Sequence, residues 1–167
     1  ITVQLVATEG SADNLRLLRE GKVDLGFVRG GTAQASELDG ADLESLGSLF
    51  LEPIWLFYRE AAAPARTLDS LAQLQGLRVN VGTPGSGIPH LMGTLLESNR
   101  IPPGALALSQ LEQTPATVAL LAGELDAIVF ASAPESSLVQ MLLQTPGIKL
   151  MERLLRPIIF SKARSAV

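Results

Sequence analysis

Residues 78–90, RVNVGTPGSGIPH, decide how the rest of the chain is read. An alternating apolar run ends in the small residues Gly82, Thr83, Pro84, Gly85, Ser86 and Gly87. Pro89 then stands where the first turn of a helix tolerates proline. A strand that hands over to a helix through glycines lets something approach its backbone closely. The first amides of such a helix point outward, and the helix dipole adds positive potential there. Gly85 and Gly87 let a ligand lie against the main chain, while Thr83 and Ser86 offer hydroxyl donors.

Spacing narrows the choice of anion. Gly82 and Gly87 match the outer glycines of a P-loop, but Ile88 and Pro89 replace its lysine and hydroxyl. A dinucleotide fingerprint needs a third glycine where His90 stands. A nucleophile elbow needs glycines flanking Ser86 at the places of Pro84 and Ile88. A single carboxylate, or a tight turn with no ligand, remains. His90, the one histidine, falls four residues after Ser86 with no orienting acid nearby in sequence. It reads as a partly buried or rim residue rather than a catalytic or metal-binding one.

Outward from this turn, strands alternate with helices. LRVNVG, ALALSQL, LDAIVFA and IKLME read as strands. SGIPHLMGTLLESNR, TPATVALLAGE and APESSLVQMLLQTPG read as the helices between them. This β-α-β-α-β-α-β order predicts a mostly parallel, doubly wound α/β sheet. Upstream, ITVQLVAT (1–8) and VDLGFV (23–28) read as strands around a helix, SADNLRLLREG, that Gly21 ends. Residues 43–60 read as an extended segment broken at Pro53, and TLDSLAQLQG as a short helix capped by Thr67 or Asp69. A second small-residue turn, ATEGSADN (7–14), also follows a strand and opens a helix. Its Gly10, Ser11 and Asn14 would face the first turn across a cleft if two lobes oppose each other. Asp13 or Ser11 as a plain helix cap is the alternative.

Composition agrees with this architecture. The 167 residues are 47% apolar and 4% aromatic, an aliphatic core suited to an α/β protein. The net charge of −4 with scattered basic residues argues against nucleic acid and anionic membrane as partners. With no cysteine, disulfides, zinc–thiolate sites and thiol catalysis are excluded. No apolar run approaches the roughly 18–20 residues that span a bilayer. The chain opens inside a strand pattern without Met, so a removed signal sequence or an absent natural beginning is expected.

GSADNLRLLREGKVDLGFVRGGTA, SLFLEPIWLFYR, LAQLQGLRVNVGTPGSGIPHLMGTLLESNRI and LLAGELDAIVFASAPES together resemble the TAXI family. These are solute-binding proteins of tripartite ATP-independent periplasmic (TRAP) transporters. The likeness runs over about residues 6–151, in order and without large gaps. It implies a type II periplasmic-binding-protein fold of two doubly wound lobes that closes on a small carboxylate-bearing solute. Glutamate, glutamine and dicarboxylates are the usual solutes of the family. It also implies a periplasmic location, a signal peptide in the precursor, TRAP permease subunits as partners, no cofactor and no catalysis. Carried over by position, Gly10, Ser11 and Asn14 line one side, and Thr83, Gly85, Ser86 and Gly87 clamp a carboxylate from the other. Trp55 and Tyr58 fall near the hinge, and Ser132 lies in a further strand-to-helix turn.

The expected division is a partial first lobe with its crossing strand in 1–58, a second lobe in 59–152, and an atypical tail in 153–167. The first strand and helix of the fold are missing from the pattern, so lobe one is expected to be incomplete and prone to self-association. SAPES also replaces the family's glycine-containing turn. For an amino-acid solute, Glu9 is the acid placed to meet an ammonium group, and Arg29 to meet a second carboxylate. The alternative is the effector-binding domain of a LysR-type regulator, which shares the bilobal architecture and requires a helix-turn-helix upstream. An enzyme of the same fold would need an acid/base pair that the sequence does not show.

Overall fold

The computed structural model describes residues 2–30, 43–49, 52–63, 67–102 and 104–151. The expected tail, 153–167, lies outside these residues. The elements in chain order are α1 (Ser11–Arg19), β1 (Ile54–Arg59), β2 (Arg78–Asn80), α2 (Ile88–Ser98), β3 (Ala107–Ser109), α3 (Gln113–Ala122), β4 (Ala127–Ala131), α4 (Ser137–Gln144) and β5 (Ile148–Leu150). Five strands form one sheet in the order β3-β2-β4-β1-β5. β2 runs parallel to β3 and to β4. β1 enters antiparallel between β4 and β5, with Phe57 opposite both Ile128 and Leu150. The crossing segment is therefore a sheet strand rather than a strap laid over it.

Strand period sets the two faces. Leu56, Tyr58, Val79, Ala127 and Val129 point to one face and pack with Ile88, Met92, Leu95 and Leu96 of α2. Phe57, Ile128 and Phe130 point to the other and pack with Ala116, Ala119 and Leu120 of α3 and Val139 and Leu142 of α4. Each of those large side chains contributes about 1.5–3 kcal/mol on burial. Tyr58 is wholly buried, and its hydroxyl accepts the Leu68 amide at 3.2 Å. That bond ties the segment before β2 to the central strand.

Helix ends follow local chemistry. Gly21 leaves α1 at φ 63°, while the Lys22 amide reaches the Leu17 carbonyl at 2.9 Å. The segment expected as a helix within 67–76 tightens to a 3-10 turn, Leu71–Leu74. Its cap is Ser70 rather than Thr67 or Asp69, because Gln73 Oε1 accepts the Asp69 and Ser70 amides at 2.7 and 3.0 Å.

The first thirty residues depart from expectation. Residues 2–8 and 23–28 form no strand, and Leu5 and Phe27 are 91% and 70% exposed. A strand exists through its ladder, and among the described residues neither segment has a neighbouring strand to pair with. α1 likewise buries no residue completely. This part is held by polar ties rather than by a core of its own.

Candidate functional site

The carboxyl ends of β2, β3 and β4 meet where α2 leaves to one face of the sheet and α3 and α4 to the other. Such a switch point leaves a crevice in open α/β sheets. Here it is a cavity of about 540 Å³. Asn80, Gly82, Thr83, Ser86 and Ile88 come from the end of β2 and the start of α2, and Glu112, Gln113 and Ala116 from the start of α3. β4 contributes Ile128–Ala131 as a floor. Thr8, Glu9, Gly10, Ser11, Asn14, Phe27 and Arg29 close it from the other side, and Glu52 enters from the crossing segment.

The two turns expected to oppose each other do so at backbone distance. A Cβ on Gly85 would lie 2.7 Å from the Glu9 Cβ and from an Asp13 carboxylate oxygen. Glycine at 85 thus serves the approach of the two turns, and it stands behind the cavity wall rather than in it. Gly87, at φ 79°, is the left-handed residue that starts α2.

Several polar side chains foreseen at the cavity are engaged with the fold. Ser86 Oγ donates to the Thr83 carbonyl at 2.7 Å and accepts the Ile88 amide at 3.3 Å. The Ser86 amide itself donates to the Thr83 carbonyl, so the turn closes on itself and α2 begins two residues later. Asn14 accepts from the Thr8 hydroxyl at 2.6 Å and donates to the Phe27 carbonyl at 2.8 Å. Ser11 Oγ accepts the Arg29 amide at 3.0 Å. Asn14 and Ser11 thereby fasten both extended segments to α1.

Three helices present their N-termini to the cavity, α1 after Gly10, α2 after Gly87 and α3 after Glu112; α1 and α3 have no side-chain cap, while the first amide of α2 is taken by Ser86 Oγ. α4 starts away from the cavity and is capped, Ser136 Oγ accepting the Val139 amide at 3.3 Å. Arg29 binds Glu52 through Nη2 at 2.8 Å and reaches the Ser86 carbonyl through Nη1 at 3.3 Å. It spans from the first thirty residues to both the crossing segment and the second turn.

Trp55, Tyr58 and Ser132 fall outside the cavity lining. Trp55 stacks on Phe57 at 6.0 Å and donates from Nε1 to the Ser132 carbonyl at 2.9 Å. Tyr58 lies in the core. Conversely, Glu52, Asn80, Glu112 and Gln113 line the cavity without having been singled out in the sequence. Asn80 carried a legible signal, a polar residue at an inward strand position. It is 2% exposed, and its Oδ1 accepts the Leu111 amide at 2.7 Å. Among the described residues no acidic or histidine cluster has the arrangement to hold a metal ion.

A model of the NMT1-like family matches residues 1–153. The chain belongs to the NMT1-like family. This NMT1-like chain is similar in structure to the GluR0 ligand-binding core from Nostoc punctiforme in complex with L-glutamate. That match has a TM-score of 0.61 at 20% identity and covers 93% of this chain and 65% of that one. It is also similar to an ancestral arginine-binding protein bound to arginine, with TM-score 0.58, 18% identity, and 84% and 57% of the two chains covered. The periplasmic aliphatic sulphonate binding protein SsuA from Escherichia coli matches with TM-score 0.58 at 22% identity, over 86% and 47% of the chains. These likenesses establish the type II periplasmic-binding-protein fold. The NMT1-like chain spans about half to two thirds of the length of these structures.

Proposed function

We propose that this NMT1-like protein is an extracytoplasmic solute receptor that binds a small carboxylate-bearing molecule. Binding is its whole task, with no bond made or broken. The observation that carries this reading is the contrast in helix capping. The N-termini of α1 and α3 face one cavity without a side-chain cap, whereas the helix that starts elsewhere has its serine cap. First-turn amides left without a side-chain partner are the groups a carboxylate satisfies.

The finer reading is a TAXI-type receptor in the periplasm that delivers its solute to a TRAP permease. The G-S-x-x-N, E-P-x-W and G-x-P-G-S-G segments support it together. The glutamate and arginine held by the structural neighbours make amino acids the first solutes to test.

Thermal unfolding of the protein against a panel of amino acids, dicarboxylates and neutral sugars tests the proposal. A true ligand at a hundredfold excess over its Kd adds roughly 2.7 kcal/mol. Stabilisation by a carboxylate is expected. Stabilisation by a sugar alone would overturn the reading.

A further inference from the structure

Residues 2–30 contribute no side chain to either apolar core, and α1 buries none of its residues completely. Among the described residues, every hydrogen bond that crosses from this part to residues 52–151 is made by one side chain, that of Arg29. Beside those bonds lies the close approach of Gly10 to Ser86 and of Gly85 to Glu9 and Asp13. The Arg29 amide donates to Ser11 Oγ at 3.0 Å, which fixes the residue on α1. Its Nε and Nη2 donate to the Glu52 carboxylate at 3.2 and 2.8 Å, so one edge of the planar guanidinium is held in place. Nη1 is thereby aimed at the opposite wall, where it donates to the Ser86 carbonyl at 3.3 Å. The Arg29 and Glu52 side chains are 20% and 34% exposed, so water screens the pair only in part.

We infer that Arg29 is the latch of the cavity: it holds the turn at 7–14 against the turn at 82–87 through the protein's own bonds, with no solute required, and Glu52 positions it. This deepens the receptor reading above by naming what governs access to the same site. A cavity that shuts by itself admits solute only through its open fraction, so the strength of the latch sets the apparent affinity.

Two exposed positions, Arg19 on α1 and Glu97 on α2, report the separation of the two parts. The chain has no cysteine, so Arg19→Cys and Glu97→Cys carry a pair of spin labels without background. Pulsed dipolar spectroscopy on the whole chain without added solute measures the distance in the parent, Arg29→Gln, Arg29→Lys and Glu52→Gln. Amide exchange in β4 follows the core of the same samples. One narrow, short distance is expected in the parent. Arg29→Gln should raise the ratio of long to short distances about tenfold, the effect of losing a hydrogen bond from a charged group. Arg29→Lys and Glu52→Gln should fall between, since lysine lacks the fork and glutamine at 52 holds it without charge. Protection of β4 should persist throughout. If Arg29→Gln alone loses that protection, the other two variants decide by the same ratio. The same short distance in all four proteins overturns the inference, as does a broad one in the parent. Opening accompanied by loss of β4 protection in every variant also overturns it, by making Arg29 a support of the fold. The receptor reading stands or falls separately, on stabilisation by solute.

Discussion

A methyl group on Gly10 would sit 3.0 Å from the Cα of Ser86. Two turns far apart in sequence thus touch through bare backbone, and the cavity lies beside that contact. The glycines bring the walls together, and the side chains around them hold the arrangement.

Gly85→Ala isolates this contact. Gly85 lies outside the positive-φ region, so alanine costs nothing in backbone strain, yet its Cβ would collide with Glu9 and Asp13. The turns are expected to separate. Hydrogen exchange should accelerate in the first turn of α1, while β4 and α3 keep their protection. Unchanged exchange in α1 would show that the contact is not held in solution.

Tyr58→Phe keeps the packing of the central strand and removes one acceptor. The Leu68 amide, in a residue 1% exposed, then loses its partner. A loss of about 1–3 kcal/mol is expected from leaving a buried donor unsatisfied. Urea unfolding monitored through Trp55 measures it, with the midpoint moving and the slope constant.

Arg78 grips Asp126 through Nη2 at 2.7 Å and Nε at 2.9 Å, and its own amide also donates to that carboxylate. These bonds, the Arg78 side chain first, hold the Asp126 carboxyl below its ordinary value of 3.8. A lowered carboxyl favours the folded state above the unfolded value, and the benefit disappears as pH falls through the folded one. Asp126→Asn should therefore be less stable than the parent at pH 7, with the difference shrinking below about pH 4. Unfolding midpoints at several pH values decide it.

Arg100 has φ 57°, a left-handed conformation directly after α2. The Ile101 amide reaches back to the Leu96 carbonyl at 2.9 Å, a helix ending that glycine favours. Arg100→Gly relieves the Cβ clash and is expected to stabilise by about 0.5–1 kcal/mol after glycine's greater unfolded-state entropy is subtracted. A melting temperature that falls would show that the arginine side chain matters more than its backbone.

The sequence alone was enough to locate every strand and α-helix described from Ile54 onward, while the segment expected as a helix at Leu71–Leu74 is a 3-10 turn. Apolar spacing, glycine at turns and proline near helix starts are local signals, and local chemistry dictates those elements. It also marked Gly85 and Gly87 as places of close approach, with a ligand as the expected neighbour. Tertiary structure decided what Gly85 approaches, since a contact between turns 75 residues apart has no local signature. It also decided that Ser86, Ser11 and Asn14 spend their polar atoms on the fold, because a hydroxyl's partner depends on which backbone group comes within about 3 Å. The strand patterns at 2–8 and 23–28 show the same limit from the other side. Alternation makes a segment fit to be a strand, but only a neighbouring chain supplies the hydrogen bonds that make it one.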